Sequence, residues 1–253
     1  MRLRTQNLTK SYGSLRVLRG VDFDAPPGSM TVILGGSGAG KSVFLKHLAG
    51  LERADSGKVL LGDADITRLP ERQLLPLRQR VAMIFQNGGL LQSLTVGENV
   101  ALGLVEARGM APAKAARIAS EKMALVGLEG RERQMPSTLS GGQVKRAAIA
   151  RALTLDTECL LFDEPTAGLD PLLAATVDAV IRDVNREQGI TCVVVTHDLV
   201  SAMGLGDRVA MLHEGTMIFQ GTPEELRASE DERVVAFLER ERTSAFHAAG
   251  PAA

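Results

Sequence analysis

The chain has 253 residues, with Lys plus Arg 29 against Asp plus Glu 30, a formal charge of −1, and 45% hydrophobic and 23% charged residues. At roughly 100–200 residues per domain, the length allows one large domain or two small ones, and the composition excludes a mainly disordered or collagenous chain. The missing basic excess argues against nucleic acid as a partner.

Apolar runs such as Thr191 to Thr196 (TCVVVT) fall far short of the ~20 residues of a spanning helix, so no membrane crossing is expected. The opening MRLRTQNLTK has no apolar segment after its arginines, so it lacks a secretory signal and implies a cytosolic chain. Cys159 and Cys192 are too few and too far apart for a disulfide framework or a zinc cluster, and read as small hydrophobes in buried strands.

In chain order, the alternating opening predicts strands before Gly28, and Met30 to Leu34 (MTVIL) predicts a buried strand. Val81 to Phe85, Cys159 to Asp163 and Ile190 to Thr196 predict three more. Strands alternating with helical patterns point to a parallel sheet flanked by helices. From Leu94 to Gln134 the texture is helical: Thr95 and Glu98 make a capping box, and Pro112 opens a helix with Ala115, Ala119, Met123 and Val126 on one stripe. Leu173, Val177, Val180, Ile181 and Val184 predict a crossover helix closed by Gly189. Val209 to Leu212 and Thr216 to Phe219 predict a hairpin, and hence a mixed sheet or an antiparallel edge sheet. After Pro223 one charged, solvated helix is expected, with Val234 and Leu238 on its apolar side, and a loose ending AFHAAGPAA.

MTVIL runs into Gly35, Gly36, Ser37, Gly38, Ala39, Gly40, Lys41 and Ser42, then into the helical VFLKHLAGL. This is the P-loop pattern in its strand, loop and helix context: glycines let successive backbone N–H groups converge on phosphate oxygens at a helix N-terminus. Lys41 is expected to neutralise the β- and γ-phosphates of ATP, and the Ser42 hydroxyl to ligate Mg²⁺. Cys159-Leu-Leu-Phe-Asp163-Glu164 ends a buried strand in two carboxylates, where the ligand crevice of an open α/β sheet lies. Asp163 is expected to hold magnesium through its water shell, and Glu164 to accept a proton from the attacking water or to orient it. His197, after TCVVVT, stands at the same sheet edge and reads either as a γ-phosphate contact or as a capped core residue. His47, His213 and His247 read as structural or solvated.

Leu139-Ser140-Gly141-Gly142-Gln143, opening the helix VKRAAIARAL before the acid strand, resembles the signature of ATP-binding cassette (ABC) ATPases, and the resemblance spans about residues 1–222. Physically, Ser140, Gly141 and Gly142 form a second anion cradle with no phosphate of its own; taken alone Ser140 reads as a plain N-cap, and its position and the accompanying motifs favour the cradle. The resemblance implies an α/β P-loop NTPase of the ABC type: a RecA-like core with an antiparallel β-subdomain and an α-helical subdomain at about 91–154. The cassette is placed at 1–242 and a flexible tail at 243–253. It further implies that Tyr12 stacks on adenine, that Val43 completes the phosphate loop, and that Gln86 touches Mg²⁺ and couples to a transmembrane partner. By the same resemblance Asp170 is the loop aspartate that communicates between protomers, and His197 is the switch histidine. Two cassettes would stack head to tail, each ATP lying between one P-loop and the other chain's LSGGQ, and this pair, a homodimer or a pairing with a related subunit, would attach to separate permease subunits on the cytoplasmic face of the inner membrane.

GGSGAGKSVFLKHLAGL with Val43 and His47, QNGGLLQSLTVGENVA, Lys145 with Arg146, and DERVVAFLE are similar to the lipid-trafficking branch, the mammalian-cell-entry and phospholipid-asymmetry importers. That branch implies a lipid-binding substrate-capture protein and a C-terminal extension able to reach the neighbouring cassette. Gln143, where many lipid-branch members have Met, keeps a polar amino-acid importer as an alternative. A soluble cassette in ribosome or DNA transactions is opposed by the single ATPase domain, the lack of long coiled coils and the near-neutral charge; a binding-only switch is opposed by Glu164 and His197.

Overall fold

The computed structural model describes residues 1–248, residues 242–248 by backbone alone. The chain forms β1 (Leu3–Tyr12), β2 (Leu15–Ala25), β3 (Met30–Leu34), α1 (Lys41–Leu48), β4 (Ser56–Leu61) and β5 (Ala64–Asp65). Then come α2 (Glu71–Arg78), β6 (Val81–Ile84), α3 (Val96–Glu106), α4 (Pro112–Leu125) and α5 (Gly141–Ala152). They are followed by β7 (Cys159–Asp163), α6 (Pro171–Gln188), β8 (Thr191–Thr196) and α7 (Leu199–Leu205). The hairpin β9 (Arg208–His213) and β10 (Thr216–Gly221) precedes α8 (Pro223–Arg227) and α9 (Glu232–Ala248).

Every residue of β3 and β8 is buried, as befits strands covered on both faces. They lie inside a six-stranded sheet ordered β10-β9-β3-β8-β7-β6, parallel from β9 to β6, with β10 antiparallel at the edge. A separate four-stranded antiparallel sheet runs β2-β1-β4-β5. Both forms of the expected edge are therefore present. Side chains alternate across β3: Met30, Val32 and Leu34 join the core that includes the helices after β6, while Ile33 joins the core shared with α1 and the antiparallel sheet. Phe44 of α1 meets Phe23 of β2 edge to face, ring centroids 5.2 Å apart at 81°, which ties the helix after the phosphate loop to the second sheet.

Helices α3, α4 and α5 pack on one another between β6 and β7. The Thr95–Glu98 capping box opens α3, Pro112 sits at the start of α4, and Ala115, Ala119, Met123 and Val126 are buried as the stripe predicts. Gly189, at φ 61°, ends α6 in the left-handed region that a side chain resists.

One reading is corrected at the C-terminus. The single helix expected after Pro223 is two: Thr222 and Glu225 cap the short α8, and the chain breaks before Asp231, whose carboxylate accepts the Arg233 amide at 2.9 Å and opens α9. The Arg233 guanidinium holds the Asp231 carboxyl down to about 2. Of the tail expected at 243–253, residues 243–248 carry on the helical backbone of α9. The anchor of α9 is Val234, fully buried, with Leu238 beside it, so residues 243–248 extend a helix already docked on the body. The rest of the expected tail, 249–253, and the side chain of His247 lie outside the described residues.

Candidate active site

Parallel pairing aligns the carboxyl ends of the central strands, with Leu34 opposite both Thr196 and Met211, and Asp163 opposite Val195. The segments that follow β3, β7 and β8 therefore emerge together at one edge, where an open α/β sheet binds its ligands. The first is the glycine-rich loop. A Cβ on Gly35 would stand 2.3 Å from the Leu212 carbonyl oxygen, so only glycine lets the loop leave β3 against β9. Gly38 and Gly40 have φ of 77° and 99°, and a Cβ on Gly36 or Gly38 would meet nothing within 4 Å. The loop is thus open toward solvent, a concave backbone cradle at the head of α1.

Lys41 folds back over this cradle. Its Nζ donates to Gly35 O at 2.7 Å and Gly36 O at 3.2 Å and lies 3.4 Å from Glu164 Oε1. The Lys41 and Glu164 side chains are 8% and 14% exposed, so the pair is shielded from most solvent screening. The Ser42 hydroxyl donates to Asp163 Oδ1 at 2.8 Å. Glu164 has φ 48°, unusual for a residue with a side chain, yet its amide still donates to Val195 O at 3.0 Å. Such a conformation costs about 1–3 kcal/mol and is sustained here by the amide bond to β8. His197 Nδ1 lies 2.9 Å from Glu164 Oε2, so the tautomer that donates from Nδ1 fixes the carboxylate. One carboxylate therefore faces the loop lysine with one oxygen and the histidine with the other.

These groups surround a cavity of about 640 Å³ lined by Gly36 through Val43, with Gln86, Glu164 and His197. Val17 completes one wall, and Arg240 and Glu241 of α9 close another. Tyr12 stands apart from the lining, 46% exposed, with Lys10 Nζ 5.0 Å from its ring centroid. The signature residues are also outside the lining. Ser140 Oγ accepts the Gln143 amide and Gln143 Oε1 accepts the Ser140 amide, a reciprocal capping box on α5. A Cβ on Gly141 would approach Leu169 Cδ2 to 2.9 Å, so this helix start is pressed against the loop before α6. Asp170 Oδ1 accepts the amides of Leu172 and Leu173 at 3.0 Å each and caps α6. Within one chain, then, the loop, acid pair and histidine converge, while LSGGQ and Asp170 form a separate surface.

The family profile described as ABC transporter matches residues 18–167. The chain belongs to the ABC transporter family. As an ABC cassette it is 41% identical over 219 residues to the methionine import ATP-binding protein MetN of Rhizobium johnstonii, covering 87% of this chain and 60% of that protein. It is 38% identical over 240 residues to the probable ribonucleotide transport ATP-binding protein mkl of Mycobacterium leprae, covering 95% of this chain and 69% of that one. Among solved structures, the dimeric post-hydrolysis ATP-binding cassette MJ0796 bound to ADP and Pi superposes with a TM-score of 0.80 at 32% identity, covering 87% of this chain and 98% of that one. The cbiO1 cassette of Clostridium perfringens gives 0.82 at 30% identity, with 92% of each chain covered.

Sequence reasoning missed several contributors to this cassette's site. Arg240 and Glu241 reach the cavity because Val234 and Leu238 seat the first turns of α9 on its own chain. Lys145, 5% exposed, donates from Nζ to the Gln86 carbonyl. Burial pushes its ammonium pKa down, while Asp163 and Glu164 oppose that by attraction. Both cysteines are free and buried, as read. Among the described residues no helix is long and apolar enough to cross a membrane.

Proposed function

We propose that this cassette binds and hydrolyses ATP as a head-to-tail pair of chains and thereby drives separate permease subunits, peripherally on the cytoplasmic face of the membrane. The observation that carries the reading is the Glu164 carboxylate held between Lys41 and His197 at the mouth of a phosphate cradle. The donor set suits magnesium: a hydroxyl, a carboxylate and an amide, all hard oxygen ligands, in Ser42, Asp163 and Gln86. Bound there, Mg²⁺ would neutralise charge on the β- and γ-phosphates.

The protein's own groups then divide the work. The backbone of Gly36 through Ser42 wraps the phosphates, and Lys41 exchanges its loop carbonyls for phosphate oxygens. Glu164 accepts a proton from the attacking water or orients it, and His197 holds the carboxylate in place while reaching the γ-phosphate side of the crevice. Tyr12 stacks on the adenine from outside the cavity wall. Ser140, Gly141, Gly142 and Gln143 cap the nucleotide of a second copy, because they do not line the cavity of their own. Asp170, at the start of α6, lies next to that signature surface and joins the two protomers.

For the cargo we infer lipid, on the similarity of Gly35 to Leu51, of the segment after Gln86, and of the α9 sequence to lipid-trafficking importers. That reading implies a lipid-binding capture protein. A second reading, a polar amino-acid importer, is kept open by Gln143; the 41% identity to a methionine import protein favours an amino-acid cargo, though an apolar one. Magnesium-dependent phosphate release by the wild type, lost in Lys41→Ala, tests the ATPase; co-purification of the native complex tests the cargo. A permease with a lipid-binding protein supports the first reading, and an amino-acid permease with its binding protein overturns it.

A further inference from the structure

The segment after β6 carries Gln86 into the cavity, and its backbone is held from one side by a single helix. Lys145 Nζ donates to the Gln86 carbonyl. Arg151 donates from Nη2 to Gly88 O at 3.0 Å and from Nη1 to Gly89 O at 2.6 Å. Both cations belong to α5, the helix whose first turn is Gly141-Gly142-Gln143. Val144, just before Lys145, packs so closely that a Cβ on Gly88 would lie 2.7 Å from its Cγ1. Farther along, Asn99 of α3 continues the attachment: its Oδ1 accepts the Leu91 amide at 2.7 Å and its Nδ2 donates to the carbonyls of Leu91, Leu94 and Thr95 at 2.9 to 3.1 Å. The loop thus rides on the helices rather than on the sheet.

We propose that Lys145 and Arg151 are positioning residues that clamp residues 86–89 to α5, so that displacement of the signature end of that helix moves Gln86 relative to Glu164. The reasoning is mechanical and electrostatic. An α-helix of this length moves as a rod, and hydrogen bonds from charged donors to carbonyls are among the stronger links available. Lys145 is almost wholly buried, so its ammonium has little water to exchange with and stays on the Gln86 carbonyl. The same ammonium is electrically coupled to Asp163 and Glu164, which places the clamp within reach of the charges of the reaction site. Resting on the ATPase reading above, this makes α5 a lever: contact between LSGGQ and a second copy's nucleotide reports to this chain's own Gln86.

The test compares full-length wild type, Lys145→Met and Lys145→Arg. The measurements are magnesium half-saturation and kcat of phosphate release, affinity for a fluorescent ATP analogue without magnesium, and amide hydrogen exchange over residues 87–91. Lys145→Met is expected to lower kcat and raise the magnesium half-saturation by about 10–100-fold, the usual cost of losing an outer partner of a metal site. Analogue affinity should stay at the wild-type value, exchange over 87–91 should accelerate, and Lys145→Arg should restore all three. Wild-type kinetics and exchange in Lys145→Met, or no rescue by arginine, would overturn the clamp. Should Lys145→Met not fold, Arg151→Met removes the donors to the Gly88 and Gly89 carbonyls and should give the same split. Failure of the ATPase reading shows separately, as no magnesium-dependent phosphate release by the wild type; the exchange measurement then still decides whether the clamp exists.

Discussion

Replacing Glu164 by glutamine preserves shape and removes charge, so chemistry and stability can be read apart. The carboxylate has two partners, Lys41 Nζ at 3.4 Å and His197 Nδ1 at 2.9 Å. Orphaning one member of a buried pair costs about 3–5 kcal/mol. Here Lys41 keeps the Gly35 and Gly36 carbonyls and His197 is 60% exposed, so neither is stranded. The loss should be near that of one ordinary hydrogen bond, about 1 kcal/mol, and the melting temperature should fall by about 2–4 °C for a chain of this size. Turnover should fall much further. Removing a positioned general base lowers rate about 10²–10⁴-fold, or about 2.7–5.4 kcal/mol of barrier. Phosphate release at saturating ATP, ATP-analogue affinity and thermal melts on the same samples make the comparison. Retained affinity with collapsed turnover is expected; turnover equal to the wild type's, or affinity lost in step with turnover, would refute the role given to Glu164.

Other consequences follow from single contacts. Ser140→Ala removes a capping oxygen at a cost of about 1 kcal/mol, whereas Ser140→Asn keeps the cap; if Ser140 also serves a second copy's nucleotide, both variants lose phosphate release although only the first loses melting temperature. Phe44→Ala should cost about 3–5 kcal/mol, because it deletes a fully buried ring and its edge contact with Phe23, and calorimetry checks it. Burial pushes the Cys159 thiol up to about 11 and the Cys192 thiol up to about 12. Neither should react with a thiol reagent at mildly alkaline pH until the chain is unfolded, and labelling of the native protein would contradict that burial. Burial also lowers the His47 pKa below its ordinary 6.5. The unfolded chain therefore takes up this proton first, and His47 should add to a loss of stability as pH falls below that value, seen as a shallower pH dependence of melting in His47→Gln.

The parts legible in the sequence are those set by local chemistry. Buried strands such as Thr191 to Thr196 declare themselves by β-branched runs, and α3 by Thr95 and Glu98. The chemical groups of the cavity were legible for the same reason, since glycines, Lys41 and the paired acids follow their strands directly. What was illegible depends on long-range placement. Helix α2 contains Pro76, which removes a backbone donor and contradicts a helical reading, yet Leu74 is buried and seats it. Lys145 and Arg151 read as ordinary charges in a helix; only the folded chain brings them to carbonyls 59 to 63 residues away. Likewise the periodicity of Val234 and Leu238 announces an apolar side to α9 without saying which surface it covers.

The most direct test of the central claim is specific ATPase activity measured across a dilution series, with sedimentation following the mass of the protein in the same buffer. If each nucleotide pocket is completed by a second chain's Ser140 to Gln143, activity per chain should fall away as dilution leaves monomers. Constant activity per chain in samples that sediment as monomer throughout would contradict it.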